Sequence, residues 1–224
     1  MSGKVLFLTG ASSGIGAATA RAAAAAGWSV GLMARSEGKL AELASELGAS
    51  ALALPGDATD LVQQEDAIGR TVRHFGKLDA AFANAGTGLS TGGTEAGDPE
   101  EWHKLVHINI LGVLWTAKAA LPHLKRTKGH MVMTGSAAGR RHIAGSVYGA
   151  SKWFVHGYGG NLAEEMSQWG GRCTVIAPGM VNTPFFDEAK PDKLQPEDIA
   201  NAVVYALEQP QHVRVGEVFI MPNG

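Results

Sequence analysis

Short apolar runs recur along the chain, separated by longer segments whose apolar positions repeat at helical spacing. Val5-Leu6-Phe7-Leu8, Val30-Gly31-Leu32-Met33-Ala34, Ala51-Leu52-Ala53-Leu54 and Ala80-Ala81-Phe82-Ala83 read as strands. Met131-Val132-Met133, Thr174-Val175-Ile176 and Val218-Phe219-Ile220-Met221 continue the series. Between the first of these lie an alanine-rich helix from about Gly14 to Ala26 and a polar-faced one near Gly38 to Leu47. Leu61, Ile68, Val72 and Phe75, spaced by seven, four and three, predict the apolar stripe of a third helix. Strands that are apolar on both faces and alternate with helices predict a parallel sheet covered on both sides. With right-handed crossovers, this is a doubly wound α/β domain of about seven strands. Such sheets bind ligands beyond the carboxyl ends of their strands. That filter selects Gly10–Gly16, Arg35, Asp57, Asn84–Gly86, Ser136 and Pro178–Thr183.

Composition narrows the function classes. The 224 residues are 45% apolar and 18% charged, enough for one large core, and a single domain over 1–224 is expected. Nineteen Lys+Arg against 21 Asp+Glu, with the basic residues scattered, argue against nucleic acid or a membrane surface as partner. One cysteine, Cys173, excludes an intramolecular disulfide framework and a multi-thiolate metal site, while pairing between chains stays open. The start carries no signal-peptide apolar region and no stretch approaches the ~20 apolar residues of a span, so a cytoplasmic protein is expected. His103 and His107 share a helical face but have no adjacent acid to complete a zinc motif, and no metal site is expected.

Thr9-Gly10-Ala11-Ser12-Ser13-Gly14-Ile15-Gly16 joins the first strand to the first helix. Glycines there let backbone N–H groups approach a diphosphate, the helix N-terminus adds partial positive charge, and Ser12 and Ser13 add hydroxyl donors. The same residues also satisfy G-x-S-x-G, the elbow of serine hydrolases, with Ser12 as nucleophile. A second chemical cluster is Ser136 with Tyr148-Gly149-Ala150-Ser151-Lys152, where Tyr and Lys stand one helical turn apart. An ammonium beside a phenol stabilises phenolate and lowers its pKa from the usual ~10, which suits it to proton exchange. Ser136 follows a strand and is placed to hydrogen-bond a substrate oxygen.

Taken in order, Thr9-Gly10-x-x-x-Gly14-x-Gly16, Asp57, Asn84-Ala85-Gly86, Asn109, Ser136, Tyr148-x-x-x-Lys152 and Pro178-Gly179 with Thr183 resemble the short-chain dehydrogenases/reductases over the whole chain. The resemblance implies a compact Rossmann fold. It implies Tyr148 as acid/base, Ser136 polarising the carbonyl, and Lys152 lowering the Tyr148 pKa while binding the nicotinamide ribose. Asn109 would anchor a water joining Lys152 to solvent. The resemblance also implies a cofactor site built from Gly10, Ser12, Ser13, Gly14, Ile15 and Gly16. Asp57 and Ala58 would contact adenine, and Asn84, Ala85 and Gly86 would line the adenosine and ribose. Pro178, Gly179, Val181 and Thr183 would hold the nicotinamide. Family analogy further implies a homodimer or homotetramer through the helices around Trp102–Leu124 and Trp153–Trp169.

Cofactor choice turns on the end of the second strand, Met33-Ala34-Arg35-Ser36, which has no carboxylate for an NAD ribose. Arg35 and Ser36 suit a 2′-phosphate, so NADP(H) is expected over NAD(H). A short substrate lid is expected around 184–195. The C-terminal segment resembles the branch that oxidises serine and other 3-hydroxy acids, and Arg140, Arg141 and His142 offer cations for a substrate carboxylate. Three readings therefore stand: a carbonyl/secondary-alcohol oxidoreductase acting on a small substrate, a dinucleotide-sensing regulator without turnover, and a Ser12 hydrolase.

Overall fold

The computed structural model describes residues 3–186 and 188–223. Its strands are β1 Val5–Thr9, β2 Ser29–Ala34, β3 Ala51–Pro55, β4 Ala80–Ala83, β5 His130–Thr134, β6 Arg172–Pro178 and β7 Glu217–Ile220. All pair in parallel in one sheet of order β3-β2-β1-β4-β5-β6-β7. The helices are α1 Gly14–Ala25, α2 Glu37–Leu47, α3 Leu61–Phe75, α4 Pro99–Val106, α5 Gly112–Thr127, α6 Val147–Ser167 and α7 Pro196–Glu208. The chain starts mid-sheet, winds outward through β2 and β3, then crosses to β4 and winds the other way. The reversal between β1 and β4 opens a crevice at their carboxyl ends.

Alternation along each strand divides the core in two. Leu6, Leu8, Leu32, Phe82, Val132 and Ile176 pack under α1, α2 and α7. Phe7, Met33, Ala81, Met131, Met133 and Val175 pack under α3, α5 and α6. Period-two alternation between two apolar faces is the signature of a sheet covered on both sides. The doubly wound expectation holds.

Helix α3 departs from its predicted stripe. Of Leu61, Ile68, Val72 and Phe75 only Ile68 is fully buried; the inward face is Gln64, Ala67, Ile68 and Thr71. Gln64 tolerates burial because its amide is fully used. It donates to the Ala58 and Gly112 carbonyls (2.7 and 3.1 Å) and accepts from Thr116 Oγ1 (2.7 Å). Polarity hid that position from a hydrophobic count.

Between α4 and α5 the chain passes through a π-helical turn, His107–Leu111, which carries the buried Asn109. By length and composition alone, the continuous run Pro99–Thr127 suffices to cross a bilayer. Here Val113, Ala117, Ala120 and Leu124 bury it against the sheet, as a layer helix of the domain.

Candidate active site

The glycine turn after β1 is shaped for an anion. Gly10 and Gly14 have φ of +67° and +50°, in the left-handed region that favours glycine. A side chain at Gly16 would collide with the Gly10 carbonyl. Ser13 is the N-cap of helix α1 and its side chain makes no capping bond, and the first turn of the helix carries no acid. The first amides of the helix are therefore left for a ligand, and a diphosphate fits that donor set.

Two adjoining clefts run from this turn. The outer one, about 730 Å³, is lined by Ser12, Arg35, Ser36, Asp57 and Ala58. The inner one, about 420 Å³, is lined by Gly14, Ile15, Asn84, Ser136, Tyr148 and Lys152 on one side. Its far wall is Pro178, Gly179, Val181 and Thr183. Gly10, Ser13, Arg35, Ala85 and Gly86 border both. Of the residues expected at the site, only Gly16 and Asn109 stand behind the wall, and both are buried.

Each strand end is pinned in place. Thr9 Oγ1 accepts from the Asn84 and Ala85 amides (both 3.1 Å), and Asn84 joins the Thr9 carbonyl to the Thr134 hydroxyl. Asp57 accepts from the Thr59 amide and hydroxyl (both 2.9 Å), a local turn, while the cap of α3 is Asp60. Asn109 uses its amide on Thr87 (2.9 and 3.0 Å) and Ser151 Oγ (3.1 Å). It thus fastens the segment after β4 to α6. A Cβ at Gly86 would lie 3.1 Å from Asn109 Oδ1 and 3.8 Å from Lys152 Nζ, so both flank the same spot.

The reactive cluster sits at the inner end. Ser136 and Tyr148 line the inner cleft together, and Ser136 Oγ accepts from the Ala138 amide at 3.1 Å. Lys152 Nζ donates to the Thr134 carbonyl at 2.9 Å and lies 5.7 Å from the centre of the Tyr148 ring. The sequence reading has the ammonium lower the phenol's pKa. In the structure burial raises the Tyr148 pKa, opposed by the Ser136 side chain, and burial lowers Lys152 to about 8. Desolvation disfavours both charged forms.

The cations expected for a substrate carboxylate are elsewhere. After the tight turn Ala137–Gly139 the chain heads toward β7, where Arg140 pairs with Glu217. His142 stacks on Trp153 at 5.4 Å, and Trp153 Nε1 donates to the Arg141 carbonyl. None of the three lines either cleft. The lid is tied at its base by a Val181–Leu194 bridge and the bond from Asn182 N to the Leu194 carbonyl (2.7 Å).

Several lining residues escape the strand-end filter. Lys39, His103, Lys104 and His107 border the outer cleft, and Gly88, Phe185 and Phe186 the inner one. Lys39 is one turn beyond Ser36 and could have been found that way. The histidines reach the cleft only because α4 folds back over the crevice, which no local pattern reports. Ser12 sits at the outer end, and among the described residues no histidine hydrogen-bonds it, so the hydrolase reading lacks its base. Also among the described residues, no three His, Cys, Asp or Glu side chains cluster as a metal would require.

Comparison with known proteins agrees with this geometry. A family model described as short chain dehydrogenase matches residues 4–194. An uncharacterized oxidoreductase of Staphylococcus epidermidis is 39% identical over 226 residues, covering 98% of this chain and 97% of the relative. An alcohol dehydrogenase of Thermococcus sibiricus, solved with 5-hydroxy-NADP, superposes with a TM-score of 0.90 at 33% identity, covering 98% of this chain and 96% of that one. A 3-ketoacyl-(acyl-carrier-protein) reductase of Brucella melitensis, solved with NADH, gives 0.89 at 26% identity, covering 97% of each chain. A diphosphate-shaped turn, a Ser–Tyr–Lys cluster at the far end of one cleft and a match over most of the sequence converge, and the chain belongs to the short-chain dehydrogenase family of oxidoreductases, which work with a bound nicotinamide dinucleotide.

Proposed function

We propose that this protein is an NADP(H)-dependent reductase that interconverts a small, uncharged carbonyl compound and its secondary alcohol. The observation that carries the reading is the grouping of Ser136, Tyr148 and Lys152 on the wall of a cleft that Arg35 also borders. When bound, the nicotinamide supplies or accepts the hydride. Ser136 and Tyr148 hold the substrate oxygen, and Tyr148 gives it a proton in reduction or takes one in oxidation. Lys152, fixed by Thr134 and bordering Gly86, binds the nicotinamide ribose. Asn109 holds Thr87 beside it.

Arg35, Ser36 and Lys39 together border the outer cleft, and the end of β2 carries no carboxylate, which favours a 2′-phosphate. Substrate class follows from the inner wall. Phe185 lies 5.7 Å from the Tyr148 ring and 5.2 Å from Phe186, with Gly88 against it. Apolar walls and the engagement of Arg140 by Glu217 favour an apolar ketone or aldehyde over a hydroxy acid. A homodimer or homotetramer is part of the proposal, since Trp115, Leu121, Tyr158 and Trp169 line an outward groove of about 570 Å³ between α5 and α6.

A panel read by absorbance of the reduced dinucleotide tests the reading. It contains acetophenone, benzaldehyde and acetoacetate for reduction and serine for oxidation, each with both cofactors. NADPH-dependent reduction of the aryl compounds is the expected result. Preference for serine or acetoacetate would overturn the substrate class, preference for NADH the cofactor, and binding without turnover would favour a sensor.

A further inference from the structure

The segment that carries Ser136 is wound around one buried side chain that the mechanism does not use, His156. It stands on α6 four residues beyond Lys152 and eight beyond Tyr148, hence on the same helical face. Its Nε2 lies 3.1 Å from the Ser136 carbonyl oxygen and 3.4 Å from the Ser136 amide nitrogen. The flanking glycines make room for the ring. A Cβ at Gly135 would come 2.8 Å from His156 Nε2, and one at Gly139 would come 2.6 Å from His156 Cδ2. Such distances leave no room for any side chain at either position.

The far side of the ring is charged. Nδ1 is buried without a hydrogen bond, 3.6 Å from Glu217 Oε2 on β7. Glu217 is held by Arg140, one residue beyond the turn Ala137–Gly139. The charged groups facing His156 are thus Glu217 from β7, Arg140 from the segment after the turn and Lys152 from its own helix. Burial, with Arg140 and Lys152, holds its pKa below the usual value, so the ring is neutral near pH 7 and has one proton to place. The shorter contact assigns that proton to Nε2, donating to the Ser136 carbonyl. Nδ1 is then bare, and Arg140 offsets the carboxylate charge beside it.

We propose that His156 is a positioning residue for Ser136: its ring, backed by the Glu217–Arg140 pair, fixes the Ser136 backbone so that the hydroxyl meets the Tyr148 phenol and the substrate oxygen. This rests on the role given to Ser136 above. Loss of the Nε2 donor frees the Ser136 turn and lowers the rate of proton transfer, while the dinucleotide site, built from other strand ends, is untouched.

A double-mutant cycle with the fastest carbonyl substrate of the panel provides the test. His156→Leu should lower kcat about tenfold, with KM for substrate and NADPH binding, read by its fluorescence, within about twofold. His156→Gln, which returns an amide donor near the Nε2 position, should recover most of the rate. If His156→Leu does not fold, His156→Asn replaces it, its amide being too short to reach Ser136. In a Ser136→Ala background, the His156 substitution should change kcat by less than about twofold. Full additivity in that background, or no rescue by Gln, overturns the inference. If Ser136→Ala itself leaves kcat intact, the Ser136 role fails instead, so the two failures are distinguishable.

Discussion

Replacing Lys152 with methionine should stabilise the fold at neutral pH while destroying turnover. Lys152 is only 5% exposed, and burial lowers its pKa from 10.5 to about 8. The unfolded chain therefore holds the proton up to pH 10.5, and the folded chain only to about 8. Over that window the unfolded state binds more protons, so stability rises with pH; below about 8 the full penalty remains. At 1.36 kcal/mol per pH unit the penalty is about 3 kcal/mol. Methionine keeps the buried stem but leaves the Thr134 carbonyl without its 2.9 Å donor, a loss of about 1 kcal/mol. The net gain at pH 7 is about 2 kcal/mol, and above pH 10.5 the variant is less stable than the parent. Urea unfolding of the cofactor-free protein, followed by tryptophan fluorescence at pH 7 and pH 10.5, measures both values. A variant less stable at pH 7, or one whose pH dependence parallels the parent, would refute the reasoning.

Acid lability should trace to His130, whose Nε2 shares a 2.7 Å hydrogen bond with Thr174 Oγ1 and whose pKa is lowered by burial to about 3. An unfolded histidine takes up its proton near 6.5, so stability is intact above that pH and is lost as pH falls toward 3, by on the order of 4 kcal/mol. His130→Gln should flatten the urea-unfolding stability curve between pH 6.5 and 4. Arg35→Ala should raise the KM for NADPH tenfold to a hundredfold, the range of a charge-assisted bond of about 1.5–3 kcal/mol, with the NADH value within twofold in steady-state assays.

Much of this architecture was written in local pattern. The apolar strand runs located all seven strands, and Gly10, Arg35, Asp57, Asn84 and Ser136 each follow one, so the crevice was legible before any coordinate. What stayed hidden depends on contacts between distant segments. Gln64 is buried because Ala58, Gly112 and Thr116 meet it, and no count of apolar residues reports a satisfied amide. Arg140 reads as a free loop cation until β7 brings Glu217 to it, 77 positions away. Helical spacing likewise reports the proximity of Tyr148 to Lys152 but not the desolvation of both. Phe185 and Phe186 were visible as lid residues, yet only the folded segment sets Phe185 against Tyr148.

The central claim is that Tyr148 moves the proton while the bound dinucleotide moves the hydride. Tyr148→Phe tests it with two readings on one protein: NADPH affinity by fluorescence titration and turnover by absorbance. The account predicts affinity within about threefold of the parent and turnover lower by 10²–10⁴. Turnover retained near the parent rate, with affinity unchanged, would contradict it.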